Sequence, residues 1–192
     1  MSPSPPTDYE ALLAWLDAGH RAHYVFFWGH RPRPDGRLGP FCFSQWSQHG
    51  FTIDGLDYPT AEHFMMAEKA RLFGDHKTEA EILAAPSPDR AKKLGRRVRG
   101  FSEDLWCAHR FQIVVRGNHA KFSQSPELMA YLLGTHNAVL VEASPVDRVW
   151  GIGLAQADPR ARSPREWQGP NLLGFALMEV RRQLLAPDTE SN

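Results

Sequence analysis

Glu62 and Lys69 are residues whose types and spacing could do chemistry together. They lie in Tyr58-Pro59-Thr60-Ala61-Glu62-His63-Phe64-Met65-Met66-Ala67-Glu68-Lys69-Ala70-Arg71-Leu72-Phe73-Gly74, which is punctuated as a helix. Pro59 cannot continue an upstream helix, Thr60 suits an N-cap, and Gly74 stands where a C′ residue belongs. At about 100° and ~1.5 Å per residue, Glu62, Met66, Lys69 and Phe73 share one stripe, with acid and amine roughly 10 Å apart along the axis. A mainly apolar stripe bearing a carboxylate and an amine resembles a pocket floor, with one group to move protons and one to attack an electrophile. The alternative is a solvated pair. A first-turn carboxylate is favoured by the helix dipole, and a lysine can run its methylenes along the protein with its ammonium in water. Spacing alone favours the solvated pair, so the rest of the chain must decide.

Two loops carry further candidates. In Ser144-Pro145-Val146-Asp147-Arg148-Val149-Trp150-Gly151-Ile152-Gly153, a carboxylate beside an indole could orient a sugar hydroxyl while the ring stacks on a base. Gly151 would let backbone approach a ligand closely. Read locally, Asp147 closing its own turn and Trp150 plugging the core is the favoured alternative. Trp167-Gln168-Gly169-Pro170-Asn171 delivers a polar loop onto a helix start, where free N–H groups can accept an anion. Lys92, Lys93, Arg96, Arg97 and Arg99 form a basic cluster that could hold a phosphate or simply face solvent.

The elements that position these groups follow from local signals. Thr7 and Glu10 form a capping box for a helix through Leu12, Leu13 and Leu16 that stops at Gly19. Residues 24–28 predict a strand, 31–40 a Pro/Gly/Arg loop, and 41–46 and 50–58 short strands or extended segments, with Asp54-Gly55 as a hairpin turn. Helices are predicted over 75–84, from Ser87-Pro88, from Ser102 through Lys121, from Ser125-Pro126 to Gly134, and from an Asn171 cap through Leu184. Val139-Leu140-Val141 reads as a buried strand. His20 and His23 could be half a metal site, but with no third ligand nearby a surface pair is the better reading. The expected organisation is an extension with a short helix over 1–23, one domain over 24–186, and disorder at 1–6 and 187–192.

Composition narrows the class. The 192 residues suit one domain able to bury roughly 70% of its unfolded surface. Lys plus Arg equals Asp plus Glu at 22 each, so no global field recruits nucleic acid or an anionic membrane. Two cysteines, Cys42 and Cys107, make no disulfide framework. With neither a leader-like segment nor a long apolar stretch, a cytoplasmic protein without a membrane partner is expected. Six Trp and eleven Phe could line a pocket for flat rings, although most must serve the core.

The chain resembles the NADAR family. The matching stretches are Phe26-Phe27-Trp28-Gly29, Tyr58-Pro59-Thr60-Ala61-Glu62-His63-Phe64, Glu68-Lys69-Ala70, Ala91-Lys92-Lys93-Leu94-Gly95-Arg96, Ala120-Lys121-Phe122, Leu140-Val141-Glu142-Ala143-Ser144, Asp147-Arg148-Val149-Trp150-Gly151-Ile152-Gly153 and Asn171-Leu172-Leu173-Gly174. They run in the family's order over about residues 24–185. Ser44-Gln45-Trp46 departs from the usual Ser-Asn-aromatic sequence, and Pro170 replaces a usual Lys. Either departure bears on substrate choice.

The resemblance implies a helix-dominated α+β domain with a small sheet of short strands. It also implies hydrolysis of the bond between ribose C1 and a base-like nitrogen. Substrates so implied are phosphorylated ribosylamino-pyrimidines, the early intermediates of riboflavin synthesis, or ADP-ribose on guanine, including guanine in nucleic acid. The family's residues map onto Glu62, Trp106, Asp147 and Trp150, with Lys69 as a covalent participant. Asp147 would hold ribose hydroxyls, Trp106 or Trp150 would stack on the base, and Arg96 would hold phosphate. Gly151 and Asn171 are expected to contact substrate. Near a helix N-terminus Glu62 is expected to be ionised unless burial outweighs the dipole. No metal or cofactor is expected. A module that binds ADP-ribose without turning it over is the contrasting reading, and Glu62 and Lys69 on one face argue against it.

Overall fold

The computed structural model describes residues 6–186. The disorder expected for 1–5 and 187–192 lies outside the described residues, and Pro6 is buried. Local capping chemistry sets most element boundaries. Thr60, Asp75, Ser87, Ser102 and Ser125 each accept a backbone N–H at a helix start. They begin α2 (Ala61–Leu72), α3 (His76–Leu83), α4 (Pro88–Gly95), α5 (Glu103–Ser123) and α6 (Pro126–Leu133). The first and last helices are α1 (Tyr9–Asp17) and α7 (Leu172–Leu185).

The strands form two separate pairs. β1 (Tyr24–Phe27) runs parallel to β4 (Val139–Glu142), with Phe27 opposite Glu142. β2 (Phe51–Ile53) and β3 (Leu56–Tyr58) make an antiparallel hairpin. Its turn residues Asp54 and Gly55 have φ of 52° and 76°, the geometry of the expected two-residue turn. The whole is a helix-dominated α+β domain. The long α5 crosses α2 and α7, and α7 covers β4. Phe43, Phe64, Phe122, Phe175 and Leu140 are fully buried in the shared core, each burial contributing about 1.5–3 kcal/mol.

Three local expectations are corrected. The α1 cap is Asp8, whose carboxylate accepts from Ala11 N at 2.8 Å, and not Thr7. Residues 41–46 do not form a strand. Pro40–Phe43 is a 3-10 helix, and the chain then turns through Ser44–Ser47. A distant lysine holds this turn. The buried Lys121 amine of α5 donates to Cys42 O at 2.5 Å, Ser44 O at 3.0 Å and Ser47 Oγ at 2.7 Å. Asn171 precedes α7 but makes no side-chain cap, and its φ of 58° is left-handed. Its amide is used on β4, donating to Leu140 O at 2.8 Å and accepting from Glu142 N at 2.9 Å.

One close approach sets up the site. A side chain at Gly95 would collide with the Met66 sulfur, so its absence lets α4 settle directly on the α2 stripe. That packing brings Lys92 and Arg96 over the carboxyl end of the stripe.

Candidate active site

A cavity of about 880 Å³ opens between α2, α4, the start of α5 and the ends of β1 and β4. Its floor is the α2 stripe, with Glu62, Met66 and Lys69 joined by Met65. Phe73 falls outside and packs edge-on to Phe101, with centroids 5.3 Å apart. Lys92 and Arg96 of α4 cover the floor, and Trp28, Trp46, Trp106 and Trp150 wall it. Lys93 pairs with Asp89 at 2.7 Å and Arg99 with Asp75 at 2.7 Å. The basic cluster therefore divides, with two members facing the cavity.

Glu62 is 2% exposed, and its Oε1 has no hydrogen-bond partner among the described residues. Its backbone N–H donates to Gln45 O at 2.9 Å, which fixes the first turn of α2 against the Ser44–Ser47 turn. Burial pushes the carboxyl up to about 7; Lys92, Trp46 and Arg96 oppose the rise and Asp147 adds to it. Burial thus outweighs the helix N-terminus, the condition under which the expected bias of Glu62 towards ionisation fails. A dipole contributing at most about 2 kcal/mol loses to full desolvation.

Lys69 is half-buried, its Nζ 4.2 Å from the Phe101 ring centroid and 5.5 Å from that of Trp106. Burial lowers its pKa, and Glu103 partly restores it. The supporting charge is therefore Glu103 and neither Glu62 nor Asp147, the two partners that could have held it protonated. The other buried acid on α2's neighbour, Asp75, serves Arg99 and Thr78 and lies outside the cavity.

Asp147 closes its own turn and also lines the cavity. Oδ1 accepts from Val149 N and Trp150 N, each at 2.8 Å, and closes the turn. Oδ2 is not used by that turn, and the residue lines the cavity. Trp150 likewise packs partly on the core while presenting to the cavity. Gly151 does not line it. An added Cβ there would sit 2.8 Å from Glu142 O, so Gly151 is required for the loop to close against β4. Asn171 is also absent from the lining, being fully buried between α7 and β4. The expected substrate contacts of Gly151 and Asn171 are replaced by these structural roles. Trp167 is buried with its indole N–H on Ala161 O at 2.8 Å, so its loop does not reach the site.

Several cavity residues were not singled out as site residues from the sequence. Lys92 stood unresolved within the basic cluster, and Trp46 within the departing Ser44-Gln45-Trp46 stretch. Glu142 gave no separate signal, because it reads as the end of a buried strand. Its Oε2 is enclosed without a partner among the described residues. Burial pushes this carboxyl up to about 8; Asp147 and Glu62 add to the rise and Lys92 opposes it. Among the described residues no group of His, Cys, Asp or Glu is arranged to hold a metal ion. No described helix is long and apolar enough to cross a membrane.

The family model described as the NADAR domain matches residues 26–185, and the chain belongs to that family. An N-glycosidase of Acanthamoeba polyphaga mimivirus is 43% identical over 165 residues, covering 83% of this chain and 95% of the relative. N-glycosidase YbiA of Escherichia coli is 35% identical over 142 residues, covering 74% of this chain and 80% of the relative. The NMR structure of E. coli YbiA superposes with a TM-score of 0.67 at 31% identity, covering 86% of each chain. The riboflavin biosynthesis protein PYRR of Zea mays is 36% identical over 158 residues, 75% of this chain but 23% of that protein.

Proposed function

We propose that this protein hydrolyses the ribose C1–N bond of phosphorylated ribosylamino-pyrimidines. Relatives named as N-glycosidases support the reaction class, and the similarity to a riboflavin biosynthesis protein supports the pyrimidine. The observation that carries the reading is Glu62, a fully buried carboxyl with a free oxygen in the same cavity as Lys69. Burying such a group unpaired costs several kcal/mol unless it neutralises, which a binding module would have no reason to sustain. Breaking an N-glycoside builds positive charge on ribose and negative charge on nitrogen, so a proton source near neutrality is wanted. Buried carboxyls poised near neutrality can supply a proton in one form and take one from water in the other.

In this assignment Lys69, as free amine, attacks C1 and forms an imine with the opened ribose. The base nitrogen leaves with a proton from a buried carboxyl of the cavity, and water hydrolyses the imine. Asp147 Oδ2 accepts from ribose hydroxyls, Trp106 and Trp150 contain the base, and Arg96 with Lys92 receives the phosphate. A second reading, release of guanine from ADP-ribosyl-guanine, is favoured by the cavity's size and by Trp28, 59% exposed at its rim. Incubation with each substrate, side by side, distinguishes them by which free base appears. A protein that binds either ligand and releases neither base is a binding module.

A further inference from the structure

Glu142 is held as firmly as any residue lining the cavity. Its N–H donates to Asn171 Oδ1 at 2.9 Å, its C=O accepts from Ile152 N at 2.9 Å, and it stands opposite Phe27 in the parallel pair. Its side chain lines the cavity. There Oε2 of Glu142 and Oε1 of Glu62 are both enclosed, and neither has a donor. Two carboxyls that share a low-dielectric cavity cannot both ionise cheaply, so one of them keeps a proton. The charged groups acting on Glu142 are Glu62 from α2, Lys92 from α4 and Asp147 from the loop that follows it, while Arg96 of α4 lines the same cavity and acts on Glu62. Lys92 acts on both glutamates, so a single amine is shared by two acids.

Resting on the N-glycosidase reading above, we propose that Glu142 is a second catalytic carboxyl, the acid that protonates the departing nitrogen while Glu62 activates water. In the first step the Lys69 lone pair forms the bond to C1. The C1–N bond breaks with its electron pair passing to nitrogen, and the Glu142 proton goes to that nitrogen. The ribose ring then opens: the bond from C1 to the ring oxygen breaks with its electron pair passing to that oxygen, which takes a proton from the Lys69 nitrogen, and a protonated imine forms. In the second step Glu62 takes a proton from water as its oxygen bonds to C1. The proton of the new hydroxyl passes to the Lys69 nitrogen, and the bond between that nitrogen and C1 breaks with its pair on nitrogen, releasing the amine and the free sugar. The proton then returns from Glu62 to Glu142 through solvent. Substrate and water are consumed, free base and sugar are formed, and no other reactant is required. Glu142 bears the larger upward shift of the two carboxyls, which suits the acid rather than the base.

The test is the pH dependence of kcat for a ribosylamino-pyrimidine phosphate, in wild type, Glu142→Gln and Glu62→Gln. Glu142→Gln is expected to lose about 10²–10⁴-fold in kcat with KM within a few-fold, and to lose the alkaline limb of the profile. Glu62→Gln is expected to lose the acid limb instead. A wild-type rate in Glu142→Gln, or a slowed enzyme whose alkaline limb is unchanged, overturns the assignment. Should Glu142→Gln not fold, carbon-13 titration of the wild-type glutamate carboxyls decides. A Glu142 carboxyl that stays protonated at a pH where Glu62 has ionised supports the proposal, and a Glu142 that ionises before Glu62 overturns it. A wild-type protein that releases no base overturns the N-glycosidase reading itself, and the role of Glu142 with it.

Discussion

The backbone N–H of Glu62 donates to the carbonyl of Gln45 at 2.9 Å, coupling the reactive end of α2 to a turn with no regular secondary structure. That turn is itself anchored from behind. Asn118 Nδ2 donates to Gln45 Oε1 at 2.8 Å, and Lys121 holds Cys42, Ser44 and Ser47. The position of Glu62 is thus set partly by α5, from beneath the cavity.

Lys121→Met tests that coupling. The substitution keeps the volume but removes the amine donor shared by Cys42 O, Ser44 O and Ser47 Oγ. Ser44 O keeps Ser47 N and the Ser47 hydroxyl can turn to Cys42 O, so the expected cost is roughly 1–3 kcal/mol. A lower melting temperature is expected, together with a fall in kcat larger than any change in KM, because Trp46 and the Glu62 turn lose their support. Unchanged kcat in a folded variant would show that the turn positions itself.

The buried acids make stability depend on pH in a direction opposite to that of a salt-bridged carboxylate. Glu62 and Glu142, raised from the ordinary carboxylate value of 4.5 to about 7 and about 8, bind protons in the folded state that the unfolded chain has released. Their contribution is fully present below about 4.5 and is lost as pH rises through 7 to 8. Glu62→Gln removes its share. Relative to wild type, the variant is expected to gain on the order of 1–3 kcal/mol between pH 5 and pH 8. Thermal melts of both proteins across that range measure it, and a difference independent of pH contradicts a neutral buried Glu62.

What could be read from the sequence was chiefly what adjacent residues decide. Thr60 with Gly74, Asp54 with Gly55, and the Ser-Pro starts at 87 and 125 fix their own backbone geometry, and the structure has them as expected. The shared face of Glu62 and Lys69 followed from helical period alone. Elements set by distant partners were not legible. The 3-10 segment depends on a lysine 79 residues away, and Asn171 on a carbonyl 31 residues away. Glu142 was hidden because a strand ending in an acid says nothing of which helices will close over it.

In the proposed reaction Asp147 would hold the ribose and Trp150 the base. Asp147→Asn keeps an Oδ1 acceptor for the turn, so the fold is expected to hold while the loss of charge lowers kcat more than binding. Trp150→Ala is expected to weaken substrate binding by about 1–3 kcal/mol, the scale of a lost stacking contact. Calorimetry with the product and steady-state kinetics read the two effects. A Trp150→Ala protein with no folded fraction would assign that ring to the core.

Lys69 can be tested by trapping. Its apolar surroundings favour the free amine, so substrate with borohydride is expected to leave a reduced adduct on Lys69 and to inactivate the enzyme. Mass spectrometry of the wild-type protein beside Lys69→Arg reads the outcome. An active Lys69→Arg protein, or turnover without adduct, returns the chemistry to direct attack by water and leaves Lys69 as a cation that clamps the site.

The most direct measurement is free-base release from a ribosylamino-pyrimidine phosphate by wild type and Glu62→Gln under identical conditions. Wild type is expected to release base and ribose phosphate in equal amounts, and Glu62→Gln to bind substrate while turning over about 10²–10⁴-fold more slowly. Equal rates in the two proteins, or binding without base release by wild type, would contradict catalysis by the buried carboxyl.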